Sequence, residues 1–303
     1  TVPNSLYMIV AGGALNTVLV PQIVRRIKQD ADGGEAFVNR IMTAFLVILG
    51  AVTLICIAAT PAIMWVWSGS TWQDPAMAPH WSKLVMMAYI TMPQLFFYGA
   101  FFLVGQVLNA RDKFGPMMWA PILNNLVAIA VLGVYVAVWG SSGDRSVPFT
   151  DAQVWVLGAG STIGIIVQTL ALIPAVRQIG FRYRPRWDWK GQGLGATFHL
   201  AKWMLGYVLL TQLAAMIVNR LASDATVSAV DGSGAGVATY ANAYLVFILP
   251  HSLLTVSLAT AMLPSASRLA ASDDMAGVAA ETGRTMRLAL TFLLPASVAL
   301  VVL

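Results

Sequence analysis

Eight stretches of the chain are each long and apolar enough to cross a lipid bilayer. A helix needs about 20 mostly apolar residues to cross about 30 Å of hydrocarbon. Charged residues make up only 10% of the chain and mean hydropathy is +0.74, whereas a soluble domain carries about 25% charged residues. Backbone polar groups inside lipid must bond within their own segment, so each stretch is predicted to be a helix. The predicted spans are 4–23, 41–67, 84–109, 116–139, 153–176, 197–220, 238–264 and 286–303.

The charged residues are distributed unevenly around these spans. All 13 acidic residues fall in loops or at span ends, and 15 of the 18 basic residues fall on one predicted side. Cytoplasmic loops of membrane proteins carry an excess of Lys and Arg. The sequence therefore predicts a multi-pass membrane protein in which four loops are cytoplasmic, namely 24–40, 110–115, 177–196 and 268–285.

Tryptophan follows the same two-sided pattern. Indole rings favour the interface between membrane and water, where the ring is apolar and its N–H finds a polar partner. Two tryptophans fall at the predicted inner interface, Trp187 and Trp189. Six fall at the predicted outer one, Trp65, Trp67, Trp72, Trp81, Trp139 and Trp155.

An internal repeat relates the first and seventh spans. Residues 3–6 (Pro-Asn-Ser-Leu) resemble residues 250–253 (Pro-His-Ser-Leu), and Pro21 and Pro264 occupy matching positions further along. Six spans separate the copies, so both halves have the same orientation. This pattern is typical of transporters built from two parallel six-helix lobes.

The repeat predicts an all-α polytopic helical bundle with two parallel lobes, truncated at both ends. Residues 1–193 would be the N-terminal lobe without its first helix, and residues 194–303 the beginning of the C-terminal lobe. Proline inside a helix removes a hydrogen bond and bends it. We therefore predict hinges at Pro21, Pro250 and Pro264.

Polar residues inside the spans are the candidate substrate contacts. Ser5, Gly12 and Asn16 share one helical face, beside Asn4, and that face lines either a cavity or a close helix contact. The same two alternatives apply to the adjacent amides Asn124 and Asn125, because an unpaired amide is costly in lipid.

Several basic residues have two alternative roles, and two histidines are predicted to pack. Lys202 and Arg40 lie just inside the predicted cytoplasmic boundary, where they either extend to the interface or meet an anionic headgroup. The basic run 182–187 either sets topology and contacts anionic lipid or recruits a negatively charged substrate. His199 and His251 lack acidic neighbours and are predicted to pack rather than to bind metal or act as bases.

Enzyme motifs are absent from the sequence. It contains no Walker loop, dinucleotide-binding glycine pattern, nucleophile elbow or cluster of metal ligands. The single cysteine, Cys56, excludes an intrachain disulfide. We therefore predict a protein that is not an enzyme and uses no cofactor or metal.

Four segments together resemble the MurJ/MviN family of lipid II flippases within the MOP exporter superfamily. They are 2–4, 13–21, 108–125 and 250–268, in family order and corresponding to roughly the second to the ninth family helix. The resemblance implies fourteen helices in a V-shaped arrangement around a cationic cavity. It also implies transport of undecaprenyl-pyrophosphate-linked peptidoglycan precursor from the inner to the outer leaflet by alternating access. The resemblance further implies location in the bacterial plasma (inner) membrane, with membrane lipids and other cell-wall synthesis proteins as the further partners expected.

The sequence departs from that family at four positions. Gram-negative-type members carry arginine at the positions of Tyr7, Met8 and Leu245, and an acidic residue at Gly12. Cavity charge would then come from Lys202, Arg40 or helices outside this chain, or recognition would rely on amides and hydroxyls.

Other functions fit parts of the pattern. A polysaccharide-repeat flippase or a drug exporter of the same superfamily is one, although no carboxylate for ion coupling lies inside a predicted span. A membrane-bound headgroup transferase and a scaffold for envelope synthesis are the others.

Overall fold

The computed structural model describes residues 2–9, 23, 26, 32–140, 147–188, 194–228 and 236–302. Within these ranges the side chains of 194–205, 264, 267, 271 and 301 are not described. Every regular element in the described ranges is helical. The predicted all-α membrane bundle is confirmed. Contacts divide the chain into two compact units, Thr1–Asp224 and Ala225–Leu303.

Twelve α-helices occur in the described residues. In the first unit they are α1 (Val2–Tyr7), α2 (Glu35–Ala58), α3 (Thr60–Trp67), α4 (Ala78–Thr91), α5 (Gln94–Asn109), α6 (Gly115–Trp139), α7 (Asp151–Leu170) and α8 (Ile173–Gln178). The long helix α9 (Leu194–Ser228) follows, and then α10 (Val237–Pro250), α11 (Val256–Ala271) and α12 (Met275–Val302).

Five helical stretches are long and apolar enough to cross a membrane, judged by length and composition: Glu35–Ala58, Pro75–Asn109, Gly115–Trp139, Asp151–Gln178 and Val237–Ala270. They correspond to the second, third, fourth, fifth and seventh predicted spans. The first predicted span lies mostly outside the described residues. The predicted spans 197–220 and 286–303 coincide with α9 and α12, and stay predictions as membrane crossings. The lobe boundary between residues 193 and 194 also stays a prediction.

Four predicted spans are each made of two helices, namely 41–67, 84–109, 153–176 (α7 and α8) and 238–264 (α10 and α11). The span 41–67 divides at Ala59, where α2 ends and α3 begins with Pro61 in its first turn. Proline fits a first turn because its missing N–H has no partner there. The span 84–109 divides in the same way at Met92 and Pro93, between α4 and α5.

The first unit is organised around α5 and α7. Helix α5 contacts α1, α2 and α7, and α7 also contacts α4 and α6. Helix α6 packs mainly on α7 and exposes large apolar side chains along its outer face, including Met118, Ile122 and Ile129. A helix with such an exposed apolar face is not suited to bulk water on that face.

A loop beyond α3 contacts the last turns of α9. Asp224 accepts hydrogen bonds from the Thr71 backbone N–H at 3.1 Å and from the Thr71 hydroxyl. The Trp72 indole donates to the Ser223 carbonyl at 3.3 Å. These hydrogen bonds to Thr71 lower the pKa of Asp224 below its ordinary value. The carboxylate is therefore the form that holds this contact together.

We expect this loop contact to open only in acid. A carboxyl group whose pKa is lowered on folding stabilises the folded state above its unfolded pKa of about 3.9, and that contribution disappears as pH falls through the lower folded pKa. The ¹⁹F resonance of 5-fluorotryptophan at Trp72 should therefore hold constant from pH 7 to about pH 4 and move below it. Asp224→Asn should remove that acid transition, and a transition near neutral pH would contradict the assignment.

Candidate functional site

The segment 181–188, which we call the strap, follows α8 and has no regular secondary structure. Its first residue, Phe181, is 2% exposed and packs in a cluster with Val38 and Met42 of α2 and with Leu103 and Val107 of α5. One aromatic anchor thereby attaches the beginning of the strap to the first unit.

Two side chains of α2 hold the strap backbone. The Arg184 N–H donates to Asn39 Oδ1 at 2.9 Å, and the Arg186 N–H donates to Thr43 Oγ1 at 3.0 Å. The Tyr183 hydroxyl lies 3.1 Å from the same Thr43 oxygen. Asn39 and Thr43 are 4% and 2% exposed. A segment without regular secondary structure must find acceptors for its N–H groups outside a helix or sheet, and these two buried side chains supply two of them.

The predicted site residue Arg40 is engaged by the far end of the strap. Its Nε and Nη2 atoms lie 2.8 and 2.5 Å from Asp188 Oδ2. Hydrogen bonding to this guanidinium lowers the pKa of Asp188. Contact between Arg40 and a substrate headgroup stays a prediction, and in this conformation the guanidinium has a carboxylate partner.

Arg111, in the distinctive motif that begins at Leu108, also contacts the strap region. Its guanidinium lies 5.4 Å from the centre of the Phe181 ring and donates to the Ile179 carbonyl at 3.2 Å. We call the end of the unit formed by Arg40, Arg111 and the strap the basic end. Three segments that are far apart in sequence meet there.

A cavity of about 810 Å³ lies beneath the strap. Its wall consists mostly of apolar side chains from α2, α5 and α7, and Arg177, Arg182 and Tyr183 stand on its lining near the basic end. We call it the amphiphilic cavity because hydrocarbon surface and guanidinium groups line the same space.

The two adjacent amides have different surroundings. Asn124 faces α7, where a Cβ on Gly164 would lie 2.3 Å from Asn124 Oδ1. Asn125 is exposed and shares its face of α6 with Ile122 and Ile129. Asn124 thus matches the helix-contact alternative, and Asn125 is the amide left open to the surroundings.

The first helix shows the same contrast. Asn4 is exposed and Ser5 half-buried, and neither side chain forms a hydrogen bond with the described part of the chain. Tyr7, one of the positions that departs from the family, is buried and stacks on Tyr98 with ring centres 5.7 Å apart. An aromatic contact therefore occupies that position.

The remaining predicted residues lie in other elements. Asn16 and Pro21 are outside the described residues. Lys202 lies in α9 and Pro264 in α11, but their side chains are not described. Pro250 ends α10, and a single π-helical turn, His251–Thr255, follows it directly. That irregular turn supports a bend at Pro250, although its action as a hinge stays a prediction.

Sequence reasoning missed Asn39, Thr43 and Tyr183. Two sequence features could have drawn attention to them. These are polar residues at the start of an apolar helix and alternating arginines in a segment that ends before α9. Neither pattern indicates that the two elements pair. Among the described residues no group of His, Cys, Asp or Glu could hold a metal ion.

Known proteins match this chain over most or all of its length. A family model described as lipid II flippase MurJ matches residues 1–303. A "probable lipid II flippase MurJ" of Haemophilus influenzae is 25% identical over 88% of this chain and 50% of its own length. Proteins of Rhizobium meliloti and Burkholderia cenocepacia, the latter titled "lipid II flippase MurJ", are each 26% identical over 99% of the chain. The chain covers 53% and 54% of those two, so it spans about half the length of the curated relatives it matches.

Proposed function

The chain belongs to the MurJ family of lipid II flippases, and from this we propose that its protein moves a lipid-linked peptidoglycan precursor from the inner to the outer leaflet by alternating access. The observation that carries the proposal is the family match, which extends over residues 1–303. The family is one of transporters, so the protein is proposed to move its substrate without chemical change.

The physical requirement for such a protein is a polar route through hydrocarbon. A pyrophosphate and its sugars cannot shed their water in lipid, so protein groups must replace that water while the polyprenyl chain stays in the bilayer. The exposed Asn4 and Asn125 and the half-buried Ser5 lack hydrogen-bond partners among the described residues. We propose these three, with Asn16 and Lys202, as headgroup contacts.

The basic end is proposed to face the cytoplasm. Arg40, Arg111, Arg177, Arg182, Arg184 and Arg186 concentrate in the three segments that meet there. This is the bias that retains a loop on the cytoplasmic side during insertion. The substrate would then enter from the leaflet at the basic end and leave from the opposite one.

Depletion of the full-length protein tests the proposal. In host cells from which it is depleted, lipid II accessible to a membrane-impermeant probe on the outer surface should fall severalfold, while total lipid II rises. Re-expression should restore exposure. A variant carrying Asn4→Leu and Asn125→Leu should be inserted normally but restore exposure poorly, because two headgroup contacts are lost.

Gly133→Leu is the matched control for re-expression, since a Cβ there meets nothing within 4 Å on the exposed face of α6. It should restore exposure fully. Unchanged outer-surface lipid II after depletion would contradict the transport function. Full restoration by the asparagine variant would contradict the proposed headgroup contacts alone.

A further inference from the structure

We propose that the amphiphilic cavity binds one anionic phospholipid, with an acyl chain between α2, α5 and α7 and its phosphate held by Arg177 and Arg182. The site lies wholly within the first unit and is distinct from the headgroup contacts proposed above. It does not depend on the transport function.

The length of the cavity matches one leaflet. Its lining residues on α5 begin at Phe96 and continue through Ala100 and Val104 to Val107. The eleven steps from Phe96 to Val107 rise about 16 Å at 1.5 Å per residue, and half of the hydrocarbon core is about 15 Å. A single acyl chain that starts at the basic end would therefore reach the bottom of the cavity near the bilayer centre.

The wall offers hydrocarbon and few polar partners. Leu46, Phe96, Val104 and Leu170 present apolar side chains to the cavity. The single proton of the Thr169 hydroxyl is already shared between the Phe97 and Ile165 carbonyls, at 3.1 and 2.8 Å. A sugar or peptide placed along this wall would lose hydration without gaining partners, whereas an acyl chain would fill it at no such cost.

The mouth of the cavity has the opposite chemistry. Arg177 and Arg182 are exposed, and neither guanidinium group forms a hydrogen bond or ion pair with the rest of the described chain. Arg40 and Arg111 differ from them, since each already has a partner. Two uncompensated guanidinium groups at the edge of an apolar slot fit a phosphate, which their planar N–H groups bind in bidentate fashion.

The turn between the two arginines places them on the same cavity. Gly180 adopts a φ of +73° there, in the left-handed region that glycine enters without strain. The chain then turns from α8 into the strap, so Arg177 on the helix and Arg182 on the strap line one space. A bound phosphate would connect α8 to the strap through charge.

The combination of wall and mouth selects the ligand class. A small soluble anion would leave the apolar wall uncovered, and an uncharged apolar molecule would leave both arginines without a counter-charge. A phospholipid with a net negative head satisfies both regions and is supplied by the surrounding leaflet. Phosphatidylglycerol is the simplest probe of this class.

Native mass spectrometry of the purified full-length protein tests the site. Phosphatidylglycerol should bind with a stoichiometry of one at low lipid concentration, and phosphatidylethanolamine of the same chain length at least tenfold more weakly. Removing both charges, by Arg177→Gln with Arg182→Gln, should weaken phosphatidylglycerol binding by about 30-fold, or about fivefold for each arginine.

Arg184→Gln is the matched control, because Arg184 lies on the same strap and is exposed but does not line the cavity. It should bind phosphatidylglycerol as the unchanged protein does.

Ala100→Phe, which fills the apolar slot, should also abolish tight binding. All three arginines are exposed, so their substitution leaves the packed core intact whatever happens to Ala100→Phe.

Three results would overturn the proposal. One is equal binding of the two phospholipids, and another is equal loss from Arg184→Gln and from the paired substitution. The third is that Arg177 and Arg182 bind undecaprenyl pyrophosphate but not phosphatidylglycerol. That result would make the cavity part of the substrate route. Loss of lipid II transport alone, with lipid binding unchanged, would bear on the proposed function and leave this site standing.

Discussion

Replacing Gly99 with leucine is expected to destabilise the first unit by about 3 kcal/mol, the upper end of the usual cost of overpacking. A Cβ on Gly99 would lie 2.3 Å from Leu49 Cδ2, with Leu49 Cδ1 at 3.0 Å and Cγ at 3.2 Å. Leu49 is fully buried in the cluster that joins α2 to α5, so it has no room to move away. The two helices would have to separate. Reversible unfolding of the purified protein in detergent measures the change.

Gly133→Leu provides the matched control for the same chemical change. Gly133 lies in α6 with nothing within 4 Å of its built Cβ, so leucine there should be neutral or stabilising through its higher helix propensity. Leu49→Ala combined with Gly99→Leu should recover part of the loss, since contacting residues show coupling in a double-mutant cycle. Equal stability of the two leucine variants would contradict the close approach of α2 and α5.

Replacing Asn39 with leucine and Thr43 with valine together is expected to release the strap. The two side chains accept the Arg184 and Arg186 N–H groups, and Thr43 also contacts the Tyr183 hydroxyl. At about 1 kcal/mol each, three such hydrogen bonds lower the equilibrium constant for local opening of the strap by about 100-fold. Hydrogen exchange of the Arg184 and Arg186 amides should accelerate by that factor while exchange in α7 stays unchanged.

Thr53→Val is the control for this pair of substitutions. Thr53 lies on the same helix and is equally buried, but its hydroxyl donates only to the Leu49 carbonyl of its own helix. Exchange of the strap amides should be the same in this variant as in the unchanged protein. If the paired substitution also left the strap amides protected, Phe181 and the Arg40–Asp188 pair would be the true attachments.

The membrane spans were the part of the fold most accessible to prediction. Gly115–Trp139 begins within one residue of the predicted 116 and ends at the predicted 139, because nearly all of its residues are apolar and composition alone marks its ends. The breaks at Ala59 and Met92 were not predicted. Each lies beside a proline in an uninterrupted apolar run, and hydropathy does not distinguish a bent span from a straight one.

The candidate site was less accessible than the spans. Asn124 and Asn125 are chemically identical neighbours, and only the position of α7 decides that one packs against Gly164 while the other remains exposed. Arg40 and Asp188 are 148 residues apart in sequence. The distribution of charge along the sequence shows that Arg40 is basic and Asp188 is acidic. It does not show that these two side chains meet.

The amino-acid sequence by itself determined that this protein belongs in a bilayer, which segments are helical and where its charges concentrate. Those properties follow from the cost of placing polar groups in lipid, which each segment meets on its own. Tertiary structure alone decided that a basic segment lies along α2 on Asn39 and Thr43, and that two arginines stand over an apolar cavity. Such pairings depend on distances between elements that are remote in sequence, and local composition does not determine those distances.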